Sequence, residues 1–213
     1  MKKTLVLFTL FIVPIVAYLF FASGVNGFTH LPTITPQVAD LGNWHSLSGD
    51  KVSLDQKITI LGFGGTDVLQ NRGNLFNLQQ KVYLRYHEFT DLQFVYVCPI
   101  GTEAAAQSIW TAMQATTDMS RWQFVFATPE EIQAYHKQLK LQGQLGANFG
   151  TPDIYIIDKE RNLRGRTGEE YKEGYNTFHP AELSNEMLDD FKVVLYEYRA
   201  ALKKNNNATK REI

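Results

Sequence analysis

The chain contains 213 residues, and its 21 Lys and Arg residues against 22 Asp and Glu residues give a formal net charge of -1. Binding to DNA or RNA needs a dense basic surface, so this nearly balanced charge argues against a nucleic-acid partner. Hydrophobic residues make up 44% of the chain, which is typical of a folded protein. The one cysteine excludes an intramolecular disulfide, a CxxC redox pair and a cysteine-rich metal site.

The N-terminal segment, residues 1–22, has the pattern of a membrane anchor. Lys2 and Lys3 precede an uncharged run over residues 5–22, which as a helix would extend roughly 27 Å, close to the thickness of a bilayer core. The lysines favour a cytoplasmic N-terminus, so the rest of the chain is predicted to be extracytoplasmic, and periplasmic in a Gram-negative bacterium. Membrane lipid is then the predicted contact of this helix. The alternative is a cleaved signal peptide, because the residues from Ala22 to Gly24 are small enough for a cleavage site.

Two polar segments set the predicted limits of the folded domain. Residues 23–40 contain Gly27, Pro32 and Pro36, and this composition indicates an extended linker. Residues 203–213 have almost no apolar side chain, which indicates a flexible tail. The domain is therefore predicted over residues 41–202, a length that is sufficient for one hydrophobic core.

Predicted strands and helices alternate in the first half of the domain. Residues 57–63, 92–97 and 123–126 are short apolar runs of the kind found in buried parallel strands. A helix with an apolar stripe from Leu75 to Tyr86 is predicted after the first strand. A second helix is predicted from a cap at Thr102 to Gln114. The third begins with a capping box at Thr128 and runs to about residue 141.

The second half of the domain changes pattern. Residues 153–157 and 162–166 are predicted as two strands joined by a short polar turn, and residues 180–202 as a helix with one long apolar stripe. The order is therefore β-α-β-α-β-α followed by β-β-α. This order predicts an α/β fold with a mixed sheet and helices on both faces, in which the parallel strands come first.

This order, together with Gly150-Thr151-Pro152 leading into a strand, resembles the thioredoxin fold. Within that superfamily the chain is most similar to the Sco/SenC group. The shared features are the N-terminal anchor, the Gly62-Phe63 pair in the first strand and a strand that ends in Tyr-hydrophobic-hydrophobic-Asp at Asp158. The resemblance covers roughly residues 41–202. It implies that Pro152 follows a cis peptide bond and faces the redox site.

The chain departs from the Sco pattern at the metal ligands. The resemblance implies two cysteines in a CxxxC element after the first strand and a histidine before the hairpin strand, which together bind copper. In this chain Thr66 and Gln70 follow the first strand, and Asn148-Phe149-Gly150 precedes the hairpin strand. Copper(I) prefers thiolate sulfur, which these positions cannot supply. Thr66, Gln70 and Gly150 are therefore interpreted as a degenerate former site, without peroxiredoxin or disulfide-exchange chemistry.

Cys98 is the weak remaining redox candidate. It ends a predicted buried strand, has no Lys, Arg or His nearby in the sequence, and is interpreted as a core residue rather than a reactive thiol. The histidines show no i, i+4 or HxH spacing typical of metal ligands, although a site assembled in three dimensions stays open. They are His30, His45, His87, His136 and His179.

Three further features have structural and functional interpretations. The glycine cluster at residues 62–65 has the flexibility to bind an anion, but a tight turn between strand and helix explains it better. Asp67 is interpreted as a helix cap rather than a catalytic group. The aromatic residues of the loop over residues 171–179 either pack on the sheet or anchor a partner.

These observations predict a protein-binding, assembly or accessory module that is anchored in a membrane. The Sco resemblance implies a respiratory or other envelope membrane complex as the setting, with a protein of that complex as the partner. We predict no catalytic, cofactor-binding or metal-binding residue, and an enzymatic activity is not favoured. The alternative is a copper-handling or thiol-redox protein that uses Cys98 with histidines.

Overall fold

The computed structural model describes residues 8–16, 18 and 30–209, with side chains described as far as residue 201. The chain divides into two compact units, Met1–His30 and Leu31–Ile213. In the first unit, residues 8–16 form a helix with exposed side chains. Within the described residues, no helix has both the length and the apolar character needed to span a membrane. Residues 1–7, 17 and 19–22 of the predicted anchor lie outside the described residues.

An eight-stranded mixed sheet forms the centre of the second unit. Its strands are β1 (Thr33–Thr35), β2 (His45–Ser46), β3 (Ile58–Gly64), β4 (Leu92–Pro99), β5 (Trp122–Ala127), β6 (Gly150–Ile157), β7 (Leu163–Arg164) and β8 (Tyr175–Asn176). Their spatial order is β1-β7-β6-β3-β4-β5-β2, with β8 on β6. Strands β3, β4 and β5 are parallel, and β6 is antiparallel to β3. This arrangement confirms the predicted mixed sheet and the predicted order of its long strands along the chain.

The four predicted helices are all present. Helix α1 consists of Arg72–Leu78, a π-helical turn at Gln79–Tyr83 and Leu84–Tyr86; α2 is Glu103–Gln114; α3 is Pro129–Gln138; and α4 consists of Pro180–Glu182, a π-helical turn at Leu183–Met187 and Leu188–Thr209. A short 3-10 turn occupies Gly168–Glu170. The capping box at Thr128 is confirmed, because its hydroxyl accepts from the Glu131 N–H while the Glu131 carboxylate accepts from the Thr128 N–H.

Helices cover both faces of the sheet because the long strands are apolar on both sides. In β4, Phe94, Tyr96 and Cys98 face a core that α1, α2 and α4 complete, with Leu75, Ile109 and Phe191 among its members. The alternate residues Val95 and Val97 face a second core, which α3 covers with Ile132 and Tyr135. Continuous apolar runs of this kind are expected of strands that are buried on both faces.

The domain begins earlier than the predicted boundary at residue 41. Strand β1 lies within the predicted linker and pairs with β7, where Thr33 and Thr35 face Arg164 and Leu163. The Thr35 hydroxyl also donates to the Leu139 carbonyl at 2.6 Å. Residues 31–40 therefore belong to the folded unit, although residues 23–29 of the predicted linker lie outside the described residues. A three-residue strand is too short to produce a period in the sequence.

Buried charges hold this N-terminal strand in place. The guanidinium of Arg164 donates to the Leu31 carbonyl, to Asp158 at 2.9 Å and to Glu197 at 2.8 Å. Arg164 is 5% exposed, and these partners satisfy a charge that would otherwise be costly to bury. The network joins β1, β7, the turn after β6 and helix α4.

Three details at the helix ends differ from the prediction, and the first is that α3 ends at Gln138 rather than near residue 141. Helix α4 continues to Thr209 rather than ending near residue 202, so the predicted tail is helical in its first part, and residues 210–213 lie outside the described residues. Lys and Ala favour helix, so a polar composition alone does not end one. At α2, Thr102 is the N-cap residue but makes no side-chain capping bond. Its hydroxyl donates to the Pro99 carbonyl at 2.7 Å instead.

Candidate functional site

The candidate site lies where the carboxyl ends of β3 and β4 meet the amino end of β6. Strands β3 and β4 are parallel, so both end at the same edge, and the antiparallel β6 begins there with Gly150 paired to Gly64. The loops after β3 and before β6 are therefore brought together. Thr66 lies on the first of these loops, Gly150 is the first residue of β6, and Gln70 is an exposed residue further along the first loop.

Close glycine packing joins the two loops. A Cβ atom added at Gly150 would lie 2.9 Å from the Gly65 nitrogen and 3.1 Å from the Gly64 carbonyl carbon. Gly65 itself has φ of +70°, a conformation that glycine adopts at little cost. The glycine cluster therefore permits the two backbones to touch at the edge of the sheet.

Asn148 fixes the geometry of the facing loops. Its carbonyl accepts from the Thr66 N–H at 2.8 Å, and its amide Nδ2 donates to Asp67 Oδ1 at 2.5 Å. Its Oδ1 also accepts from the Gly150 N–H at 3.1 Å. Asp67 is thus not a helix cap, since α1 begins after Asn71. In the segment where the Sco resemblance implies a histidine ligand, this chain has an asparagine whose side chain joins loop to loop.

The structure places Cys98 in the core beneath the glycine turn. The side chain is fully buried, and a Cβ at Gly64 would lie 2.7 Å from its Sγ. Burial raises the pKa of the thiol to about 12, because a charged thiolate is poorly solvated there. The thiol therefore remains protonated at physiological pH and is a poor nucleophile or metal ligand.

The histidines are dispersed over the fold. His45 lies 3.7 Å from Glu103, His87 stacks on Tyr83, and His136 is packed edge-on against Phe63. Burial lowers the pKa of His136, which favours its neutral form. His179 is exposed at the start of α4, and His30 ends the first unit. Among the described residues, no group of three or more His, Cys, Asp or Glu side chains could hold a metal ion.

The prediction of a cis peptide bond before Pro152 is wrong, because the described residues contain no cis peptide bond. Pro152 lies inside β6, at an irregularity where Thr151 pairs with Phe63 and Ile154 pairs with Gly62. This leaves Pro152 and Asp153 unpaired with β3, although Asp153 pairs with Asn176 of β8. A proline is tolerated at such a bulge since it has no N–H to contribute. Its carbonyl accepts from both the N–H and the hydroxyl of Thr177.

A cleft of about 360 Å³ opens beside the facing loops. It is lined by the end of β3, the start of β6 and the loop before β6, and also by α1 and the loop after β8. Asn74, Tyr96 and Phe178 are among its lining side chains, and none of its lining residues is charged. Asn74 and Tyr96 were not predicted from the sequence. Glycine in the middle of β3 was the available signal, because Gly62 makes room for the ring of Tyr96.

The fold is similar to that of solved Sco proteins. No protein-family model and no curated protein matches the chain. BsSco, a member of the Sco family of cytochrome c oxidase assembly proteins, is 12% identical, with a TM-score of 0.50 over 74% of this chain and 99% of that chain. Arabidopsis thaliana ScoI with copper bound is 14% identical, with a TM-score of 0.47 over 73% and 98% of the two chains. The soluble domain of Sco1 from Bacillus subtilis is 14% identical, with a TM-score of 0.48 over 72% and 90%. The match to BsSco shows that the chain has a fold of this thioredoxin-like type.

The close contact of Gly150 with the backbone of Gly64 and Gly65 predicts that one added methyl group lowers the stability of the fold. Gly150→Ala places a Cβ against the backbone of Gly64 and Gly65, so we expect it to lower the free energy of unfolding by about 1–3 kcal/mol. Gly73→Ala is the matched control, since no atom lies within 4 Å of its added Cβ in helix α1. There we expect a gain of about 0.5–1 kcal/mol from helix propensity. Equal stability of the two variants in urea unfolding would contradict the close packing.

The buried thiol predicts slow chemical modification. At about pH 8, dithionitrobenzoate should modify Cys98 in the native chain more than about a hundredfold slower than in the unfolded chain, because the native thiol is protonated and enclosed. Thr66→Cys provides the control, since it adds a thiol at an exposed position of the same loop. Its added thiol should react rapidly while Cys98 stays protected. Rapid modification of Cys98 in the folded wild-type chain would show that the thiol is accessible.

Proposed function

We propose that the protein is a membrane-anchored, extracytoplasmic thioredoxin-like module that binds a partner protein without thiol redox chemistry. It acts in assembly of, or as an accessory to, a respiratory or other envelope membrane complex. Lys2, Lys3 and the uncharged run over residues 5–22 support the anchor and the orientation.

One observation carries the proposal: the sole thiol of the chain lies in the core behind Gly64, at the edge of the sheet that the thioredoxin fold uses for sulfur chemistry. Thiol exchange requires an accessible thiolate, and copper(I) binding favours thiolate ligands. The loop residues Thr66 and Gln70 supply no thiolate for thiol exchange or for copper binding. The surface at this edge is therefore better suited to binding a partner than to a chemical reaction.

An apolar rim at this edge is suited to a protein partner. Leu69, Ile100 and Phe178 are exposed by 41%, 53% and 53%, and they follow β3, β4 and β8 respectively. Leu69 and Ile100 follow adjacent parallel strands that end at the same edge, while Phe178 lines the cleft beside them. Large exposed apolar side chains of this kind often anchor protein interfaces.

Similarity to a Sco protein supports the choice of complex. BsSco is described as a member of a family of cytochrome c oxidase assembly proteins. Fold similarity does not fix function, so the step from that protein to this chain is an analogy. The analogy favours a membrane complex over a soluble client.

Affinity capture with rim variants tests the proposal. The tagged full-length chain is expressed in its own host, solubilised from membranes in mild detergent and compared with the double variant Leu69→Glu/Ile100→Glu. Charges placed in an apolar interface should reduce recovery of the co-purified partner by at least about tenfold. Tyr196→Glu is the control, because this exposed residue lies on α4 outside the rim, and its recovery should match that of the wild type.

Two results would contradict the proposal. One is the absence of any partner that co-purifies reproducibly with the wild-type chain. The other is undiminished recovery of the partner with the double variant. Stoichiometric copper on the purified chain, lost in Cys98→Ala, would instead favour the copper-handling alternative.

A further inference from the structure

The cleft beside the facing loops contains two buried polar side chains that lack a protein partner. Most buried polar groups in proteins are hydrogen-bonded, because an unmade bond is costly. The side-chain polar atoms of Asn74 and Tyr96 have no hydrogen-bond partner among the described residues, and both residues line the cleft. They are therefore available to a partner from outside the chain.

Asn74 projects from the first turns of α1. Its residue is only 9% exposed, and its backbone N–H donates to the Asn71 carbonyl at 3.0 Å. Its side-chain carboxamide makes no hydrogen bond to any other described residue. A carboxamide offers two donors and an acceptor, so three hydrogen-bonding positions remain for whatever occupies the cleft.

Tyr96 reaches the cleft from β4, across the neighbouring strand. A Cβ at Gly62 would lie 2.6 Å from the Tyr96 Cζ, so the glycine is what lets the ring extend over β3. The residue is 4% exposed, and its hydroxyl has no hydrogen-bond partner among the described residues. Burial raises the pKa of this phenol, which keeps the hydroxyl protonated and able to donate.

These two groups are distinct from the fully enclosed polar atoms without a partner. Those atoms belong to Gln79, His87, Trp122 and His136 in the described part of the chain. The carboxamide of Asn74 and the hydroxyl of Tyr96 are not among these enclosed atoms, and both residues line the cleft.

The remaining lining is polar but uncharged. Asn71 and Gln144 add two more carboxamides, whereas the Asn148 carboxamide is already used to join the loops. Phe178 provides an exposed aromatic face at the rim. With no Lys, Arg, Asp or Glu in the lining, nothing in the cleft compensates for the desolvation of a charged ligand.

We propose that this cleft is a binding site for a small uncharged molecule that carries amide or hydroxyl groups, with Asn74 and Tyr96 as its buried hydrogen-bonding partners. The volume of about 360 Å³ lies at the lower end of the range for small-molecule sites, which suits a ligand the size of a sugar or a blocked dipeptide. Both types of molecule present donors and acceptors together, as the carboxamides require. Phe178 contributes an apolar surface for packing.

The test measures binding of defined probes to the purified full-length chain in a sugar-free zwitterionic detergent. Saturation-transfer NMR titrations with glucose, N-acetylglucosamine and N-acetylglycinamide separate hydroxyl-bearing from amide-bearing ligands. Glucuronate and protonated glucosamine are the matched charged probes. We expect at least one neutral probe to bind and its charged counterpart to bind at least about tenfold more weakly.

Two single variants test whether the probes bind in the cleft. Tyr96→Phe and Asn74→Ala should each weaken binding of the neutral probe by about fivefold to tenfold, the loss expected for one hydrogen bond. Tyr196→Phe, outside the cleft, should leave binding unchanged. Without ligand, Tyr96→Phe should not lower the melting temperature, because it removes a hydroxyl that has no protein partner. This separates a lost contact from a lost fold.

Three results would overturn the inference: no binding by any neutral probe, equal binding by the charged probes, or undiminished binding by both variants. The first would mean that water alone satisfies Asn74 and Tyr96. These outcomes are independent of the partner experiment, since that experiment alters Leu69 and Ile100 on the rim and not the interior of the cleft.

Discussion

The contact between the glycine backbones of β3 and β6 is the constraint on which the site depends. The backbones of Gly64 and Gly65 can approach Gly150 because Gly65 and Gly150 have no side chain, and a Cβ on either would lie 2.9 Å from an atom of the facing backbone. This approach leaves Cys98 covered from the loop side. It also brings Asn148 close enough to Thr66 and Asp67 to lock the two loops together with hydrogen bonds.

The same contact determines the chemistry available at this edge. Burial holds the pKa of the Cys98 thiol near 12, so this thiol stays protonated under physiological conditions. The loops are joined by carboxamide hydrogen bonds, and the adjoining cleft displays the unpartnered groups of Asn74 and Tyr96. In the function that we propose, these polar groups and the rim beside them serve recognition.

The sequence was sufficient for the fold because its long elements have strong patterns. The apolar runs of β3, β4 and β5 and the stripe of α4 predicted the mixed sheet and its order. The short strands β1, β2 and β8 were not predictable, since two or three residues have no period and are held by distant groups such as Arg164. The position of the site, at the end of β3 and the start of β6, could be predicted from the sequence, but its side-chain contacts could not. Asn148 and Asp67 are far apart in sequence, and no pattern indicates that they bond.

The central claim is that recognition at this edge needs no sulfur. It is tested most directly by capturing the partner with a cysteine-free chain, Cys98→Ala, alongside the wild type, after circular dichroism has shown that both are folded. The account predicts the same partner in equal yield from both chains, with or without a reductant. Loss of the partner from the folded cysteine-free chain, or its release by reductant, would contradict the account.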